Sequence, residues 1–502
     1  MMSSMNNFSK LLETSTEQVE SMYLDKLVNA GLERTMDSYY LCGPYPPMLQ
    51  MEIFNTKKHQ LNFNNASAVN KINENVDMYL HFPFCKVVGK YQCSFCHFFK
   101  EQYDVNKEPE VIKNWIKEIE LWKRQIGDIK INTIYFGGGT PSLMQAKSLK
   151  KFVSYLKSYV DMKQCKEIKF EIHATAARDP ERFKQLLEVL ETLPNVKTII
   201  DIQSFNPMTL KQVTWSRVTE EDYNKTLQTV ISHGFDCIST GFITGLPFET
   251  KESMLNNLAK LVTIPQIKSI TNYPLMLRQI NQVNNIVTKC PEIVMGIKDR
   301  DIVAIASRKL LSAFGFTEGP LYFFSREGGT PIQSQSKHNN RIETNLLGIG
   351  PSAFGNVNDV VYYNHPSILK VSQSISNERL PISNIALLDD SNREARYIIK
   401  GGLYGLKESF SVNPKMQPIF EVFQDYQLVD QLKSNTWKLT DKGKLRTEEM
   451  AYYIAENDLG AKFMSVKQSE LNCNPNHCFP TRTNEQNKKF ESVLRSKLIS
   501  GK

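Results

Sequence analysis

From about residue 75 the sequence alternates between short β-rich runs and amphipathic helical stretches, and this restricts the fold more than any other feature. The strand-like runs are VDMYLHF, NTIYFGG, EIKFEIHA, TIIDIQS and DCISTGFITG, with SITNYPLML as a sixth. Between them lie stretches with helix-period apolar spacing: EPEVIKNWIKEIELWKRQI, QAKSLKKFVSYLKSYV, DPERFKQLLEVLETL, EEDYNKTLQTVISHGF, TKESMLNNLAKLVTI and later DRDIVAIASRKLLSAFGF. Asp179-Pro180 and Thr250-Lys251-Glu252 read as helix starts. Repeated strand–helix units build a parallel sheet with right-handed crossovers. About six of them, curved, predict an α/β fold of the partial (β/α) barrel kind. Chemistry in such barrels sits at the C-terminal ends of the strands.

The rest of the 502 residues flanks this core, and the length suits two or three units. Residues 1–74 form an N-terminal extension with a helical segment and a loop at Pro44–Pro47; residues 75–384 carry the α/β core. Residues 385–460 read as helices followed by a β-hairpin around Trp437, a winged-helix-like unit, and 461–502 as a loose polar tail. No run of ~18 apolar residues is present, so no membrane span is expected. The N-terminus lacks the apolar stretch of a secretory signal, and a cytoplasmic location follows as the expectation. The net charge of +8 is spread over Lys-rich helices without a basic stripe interleaved with aromatics, so nucleic acid is not an expected partner.

Nine cysteines are too few for a secreted disulfide framework, and three of them cluster: Cys85, Cys93 and Cys96. In a reducing compartment, clustering argues for metal. Electron-transfer ferredoxins cover all four irons of a [4Fe–4S] cluster with cysteine. Three thiolates leave one iron open to bind a cofactor or substrate. A structural zinc knuckle is the alternative, with His81 or His97 as its fourth ligand. Cys473 and Cys478, beside His477, read as ordinary thiols of the tail, with a second metal the lesser possibility.

About forty residues after the cysteines comes Tyr135-Phe136-Gly137-Gly138-Gly139-Thr140-Pro141-Ser142, where glycines after a strand let the backbone approach a ligand closely. Glu171, Gln203 and Arg217 fall at or just beyond later strand ends. A carboxylate there can hold ribose hydroxyls or an amino group, and an arginine can clamp a carboxylate.

In this order, YLHFPFC, CSFC, YFGGGTPS, FEIHA, DIQSFN, TGLPFET and GIGPSAFG resemble the radical S-adenosylmethionine (SAM) enzymes related to oxygen-independent coproporphyrinogen III oxidase. The likeness runs over roughly residues 75 to 455. It implies a [4Fe–4S] cluster on Cys85, Cys93 and Cys96, with Tyr79, Gly138, Gly139 and Glu171 near a first SAM, Phe95 packed on cofactor and Thr140 among the cofactor-binding residues. Gln203 and Arg217 would reach toward a second SAM or the substrate. The reduced cluster would split SAM into methionine and a 5′-deoxyadenosyl radical, fed by an electron donor such as flavodoxin or ferredoxin.

This sequence departs from the family pattern in three places. Seven residues, not three, separate the first two cysteines; the excess in KVVGKYQ is expected to bulge outward at Gly89, with Lys86 and Lys90 solvated. Gly241 stands where the family has an aspartate four residues before the glycine of the GLP motif. Arg217 lies fourteen residues after Gln203, slightly beyond the usual spacing. Without an acid at 241, one tightly bound SAM is expected, the space beside Gly241 going to a small organic substrate. The departures point to a specialised relative that carries out methylation, cyclisation or a similar carbon transformation. Oxidative decarboxylation of coproporphyrinogen and haem binding or delivery are the alternatives.

Overall fold

A computed structural model describes residues 2–34, 45–55, 75–86, 92–96, 98–214, 217–275, 282–329, 345–405, 408–459 and 484–500. All six strands expected from the sequence form: β1 (Val76–Phe82), β2 (Ile131–Gly138), β3 (Glu167–His173), β4 (Val196–Asp201), β5 (Ile238–Thr244) and β6 (Ile267–Pro274). They lie side by side in sequence order, each parallel to the next. Strands β1 and β2 are buried along their whole length, as central parallel strands covered by helices must be.

The covering helices begin where the sequence places them. The helix Pro180–Leu190 is capped by Asp179, whose side chain accepts from the Arg182 N–H. Thr219 and Thr250 each close a capping box at the starts of Glu220–Ser232 and Lys251–Val262. The apolar faces of these helices join the strands in one large core.

The sheet does not stop at six strands. Leu346–Ile349 adds a parallel neighbour on the free side of β1, and an antiparallel run through Phe354–Val357, Val360–Asn364 and Ile382–Leu387 extends it further. With short strands at both ends it reaches thirteen, a mixed sheet where six parallel strands were expected. The added strands, LLGI, FGNV and VVYYN, are too short for a period to announce them.

The expected hairpin at Trp437 is present as Val429–Lys433 and Thr436–Leu439, and Phe410-Ser411 makes a third strand. Its core takes residues from both ends of the chain. Leu27, Ala30, Leu32 and Tyr45 pack with Ile398, Phe420, Phe423, Trp437 and Tyr453. The tail differs from the expectation of a loose segment: Asn484–Ser500 is a helix. Phe490 is buried there and stacks on Tyr453 with ring centroids 3.6 Å apart, while Val493 and Leu494 pack beside it. Those three residues sit at helical spacing, and they anchor an otherwise polar helix. Among the described residues no helix is long and apolar enough to cross a membrane.

Candidate functional site

Strand register decides which side chains meet. Tyr79 pairs with Tyr135, Glu171 with Ile199, His173 with Asp201, and Ile199 with Ser239. Side chains alternate faces along a strand, so Tyr79, Tyr135, Glu171, Ile199, Asp201 and Gly241 share one face of the sheet. At the C-terminal ends of the strands a cavity of about 450 Å3 opens. Cys85, Cys93, Phe95, Cys96, Gly138, Gly139, Thr140, Glu171 and Gln203 all line it. Nine of the eleven residues singled out from the sequence therefore converge on one cavity.

The glycine turn is strapped to the cysteine loop. The Gly139 N–H donates to the Phe82 carbonyl and the Thr140 N–H to the Phe84 carbonyl, each at 2.7 Å. A Cβ on Gly139 would stand 2.4 Å from the Phe84 oxygen, and Gly138 adopts a φ of +107°. The close approach these glycines allow is first of all between two stretches of this chain, whereas the sequence suggested a ligand alone. The strap sets Cys85 Sγ 3.2 Å from Thr140 Oγ1. On the far side of the loop Lys100 Nζ donates to Cys96 Sγ at 3.1 Å and to the Phe98 carbonyl at 2.9 Å.

The thiols suit a metal cluster. Burial, helped by the neighbouring Cys96 sulfur, pushes the Cys85 thiol up to about 12, so it stays protonated at neutral pH on its own. A bound metal supplies the positive charge that makes such a thiol a thiolate. Burial opposes the charge of Lys100, yet the Cys96 sulfur holds its ammonium above the usual range. The zinc alternative loses one of its histidines. His81 has Nδ1 2.8 Å from the Tyr79 hydroxyl and Nε2 3.1 Å from the Phe99 carbonyl, so both ring nitrogens are engaged. His97 lies outside the described residues. Among the described residues no three His, Cys, Asp or Glu side chains could hold a single metal ion.

Glu171 enters the cavity with Oε1 accepting from the buried Tyr135 hydroxyl at 2.7 Å, which fixes the carboxylate. Tyr79 is fully buried and does not line the cavity; its hydroxyl orients His81, whose ring packs under Gly138. Arg217 also stays off the cavity wall. Its side chain is exposed, its φ is +45°, and its carbonyl accepts from Arg178. Lys86 is exposed at the cavity mouth, while Gly89, Lys90, Cys473, His477 and Cys478 lie outside the described residues.

The sequence reading passed over Lys100, His173 and Asp201, all three in the cavity wall. Burial, with the nearby Arg178, lowers the His173 imidazole to about 4, so it is neutral at physiological pH. Asp201 overturns a premise. An ideal Cβ built on Gly241 would lie 2.8 Å from Asp201 Oδ1, so the space expected for substrate beside Gly241 holds a carboxylate. The signal was available: Asp201 precedes Gln203 by two residues on the same predicted strand.

Residues 79–261 match the Radical SAM superfamily. Among curated proteins, the heme chaperone HemW of Lactococcus lactis is 24% identical over 199 residues, 40% of this chain and 48% of that one. The chain thus spans about half the length of that relative. The oxygen-independent coproporphyrinogen III oxidase of Pseudomonas aeruginosa is 22% identical over 342 residues, 65% of this chain and 71% of that one. The solved coproporphyrinogen III oxidase HemN of Escherichia coli superposes with a TM-score of 0.68 at 18% identity, covering 83% of this chain and 97% of that one, and so shares its fold. Over residues 79–261 the chain thus matches the radical SAM superfamily, and it is distantly similar to oxygen-independent coproporphyrinogen III oxidase and HemW.

Proposed function

We propose that this protein uses a [4Fe–4S] cluster and SAM to transform carbon centres of a small organic substrate by radical chemistry, in a reaction such as methylation or cyclisation. One observation carries the reading: three thiols and a tyrosine-anchored carboxylate, Glu171, line the same cavity at the strand ends. The chemistry such a cluster supplies is one-electron cleavage of SAM to methionine and a 5′-deoxyadenosyl radical, the electron coming from a donor of the flavodoxin or ferredoxin class. The protein's own part is placement. Cys85, Cys93 and Cys96 hold the cluster, Thr140 and Lys100 fix the outer two sulfurs, and the strap from Gly139 keeps the loop at the C-terminal ends of the strands. Glu171 is set to receive the hydroxyls or the ammonium of SAM. Phe95 and Phe98 shield the cysteines from water.

A second reading has its own support. Arg178, Arg182 and Lys86 stand on the cavity wall, a basic side that suits a substrate with carboxylates, as oxidative decarboxylation of coproporphyrinogen requires. Arg178 is already held by Asp222 through Nε and Nη2, each at 2.6 Å, which weakens this alternative.

The test is anaerobic reconstitution with iron and sulfide, reduction, and assay of 5′-deoxyadenosine with and without coproporphyrinogen III. Release of 5′-deoxyadenosine, lost in Cys93→Ala, is expected. Consumption of coproporphyrinogen would establish the second reading instead. An iron-loaded protein that binds haem and releases no 5′-deoxyadenosine would establish a haem-delivery role.

A further inference from the structure

We propose that Asp201 supplies the carboxylate that Gly241 lacks, accepting hydrogen bonds from the ribose hydroxyls of an S-adenosyl ligand, and that Gly241 is the residue that makes room for it. The proposal rests on the radical SAM reading above. Ile199 pairs with Ser239 on adjacent parallel strands, so two residues further on Asp201 and Gly241 stand side by side. Both lie on the face of the sheet from which Glu171 enters the cavity, and Asp201 is exposed in the cavity wall. A Cβ on Gly241 would meet Asp201 Oδ1 at 2.8 Å, Cγ at 3.1 Å and Oδ2 at 3.5 Å. Any side chain at 241 would displace that carboxylate.

The acid has therefore changed its parent strand and kept its place. An aspartate on β5 would put its carboxylate just above residue 241; here β4 delivers one to the same spot from the side. An ionised carboxylate only accepts hydrogen bonds, and its two oxygens suit a pair of adjacent hydroxyls. Glu171 stands on the neighbouring strand and the same face, one register step nearer the N-terminal ends of the strands. Together they give one wall two carboxylates, for a molecule that carries both ribose hydroxyls and an ammonium.

The experiment titrates SAM into anaerobically reconstituted full-length protein by calorimetry, with iron counted in every sample. Asp201→Ala and the near-isosteric Asp201→Asn should each weaken one SAM-binding event about ten- to hundredfold, the worth of a hydrogen bond to a charged group. Gly241→Ala should do the same, by pushing the carboxylate aside. The double exchange Asp201→Gly with Gly241→Asp should restore most of the affinity, with iron content equal throughout. Loss of one of two bound molecules would identify a second SAM as the ligand. Weaker binding of a single molecule would identify the SAM on the cluster, and either result supports the proposal. An isotherm unchanged by Asp201→Ala overturns it, as does a double exchange no better than Asp201→Ala. So does an iron-loaded wild type that binds no SAM. A wild type that takes up no iron overturns the radical SAM reading beneath it.

Discussion

Gly139 has almost no freedom to change. Its missing side chain points at a backbone carbonyl, which cannot rotate away as a flexible side chain could. Gly139→Ala must push the turn off the cysteine loop, and overpacking of this kind costs about 1–3 kcal/mol. A lower melting temperature together with reduced iron content is expected; full iron loading at wild-type stability would show that the strap is dispensable. Lys100 is a different case, because its ammonium touches the Cys96 sulfur as well as the Phe98 carbonyl. A charged donor on a thiolate favours the more negative, reduced state of a cluster. Lys100→Met should keep the iron and shift the reduction potential to more negative values in an EPR-monitored titration. An unmoved midpoint would mean that Lys100 turns away from Cys96 once the cluster is in place.

At the scale of elements, the sequence was legible wherever a period was long enough to count. The six parallel strands and the helices begun by Asp179 and Thr250 formed where alternation and capping residues placed them. The cysteines and the glycine turn were readable because their chemistry is local in sequence. What escaped depended on neighbours distant in the chain. Asp201 looked like one charged residue in a β run, and only the bare Cα of Gly241 on the next strand shows what it faces. Tyr79 fell near the right loop, yet the fold buries it behind His81. The helix Asn484–Ser500 was missed because its few apolar residues matter only once Tyr453 and Phe423 stand opposite Phe490. Phe490→Ala should therefore cost about 3 kcal/mol in denaturant unfolding and leave iron content unchanged. An unaltered unfolding curve would mean that the helix adds nothing to the C-terminal core.

Across the whole molecule, buried polar links tie the six parallel strands and their helices to the strands that extend the sheet. Glu118, on the helix Glu108–Ile126, accepts from the Gly350 N–H at 2.9 Å and from the Asn364 side chain. Burial outweighs those two donors and raises its carboxyl from 4.5 to about 8. Between those values the folded chain holds a proton that the unfolded chain has released. The group's contribution is thus full below about pH 4.5 and is lost as pH rises toward 8, at a slope of at most about 1.4 kcal/mol per pH unit. The melting temperature of wild type relative to Glu118→Gln should fall steadily from pH 5 to 8; a constant difference would show that Glu118 does not titrate there. The central claim is that Cys85, Cys93 and Cys96 hold a cluster with one iron open toward Glu171. EPR of the reduced, reconstituted protein with and without SAM tests it most directly. A [4Fe–4S] signal whose g values move when SAM is added, and which is absent in Cys96→Ala, is the expected result. A signal indifferent to SAM, or a protein that binds zinc and no iron, would contradict the account.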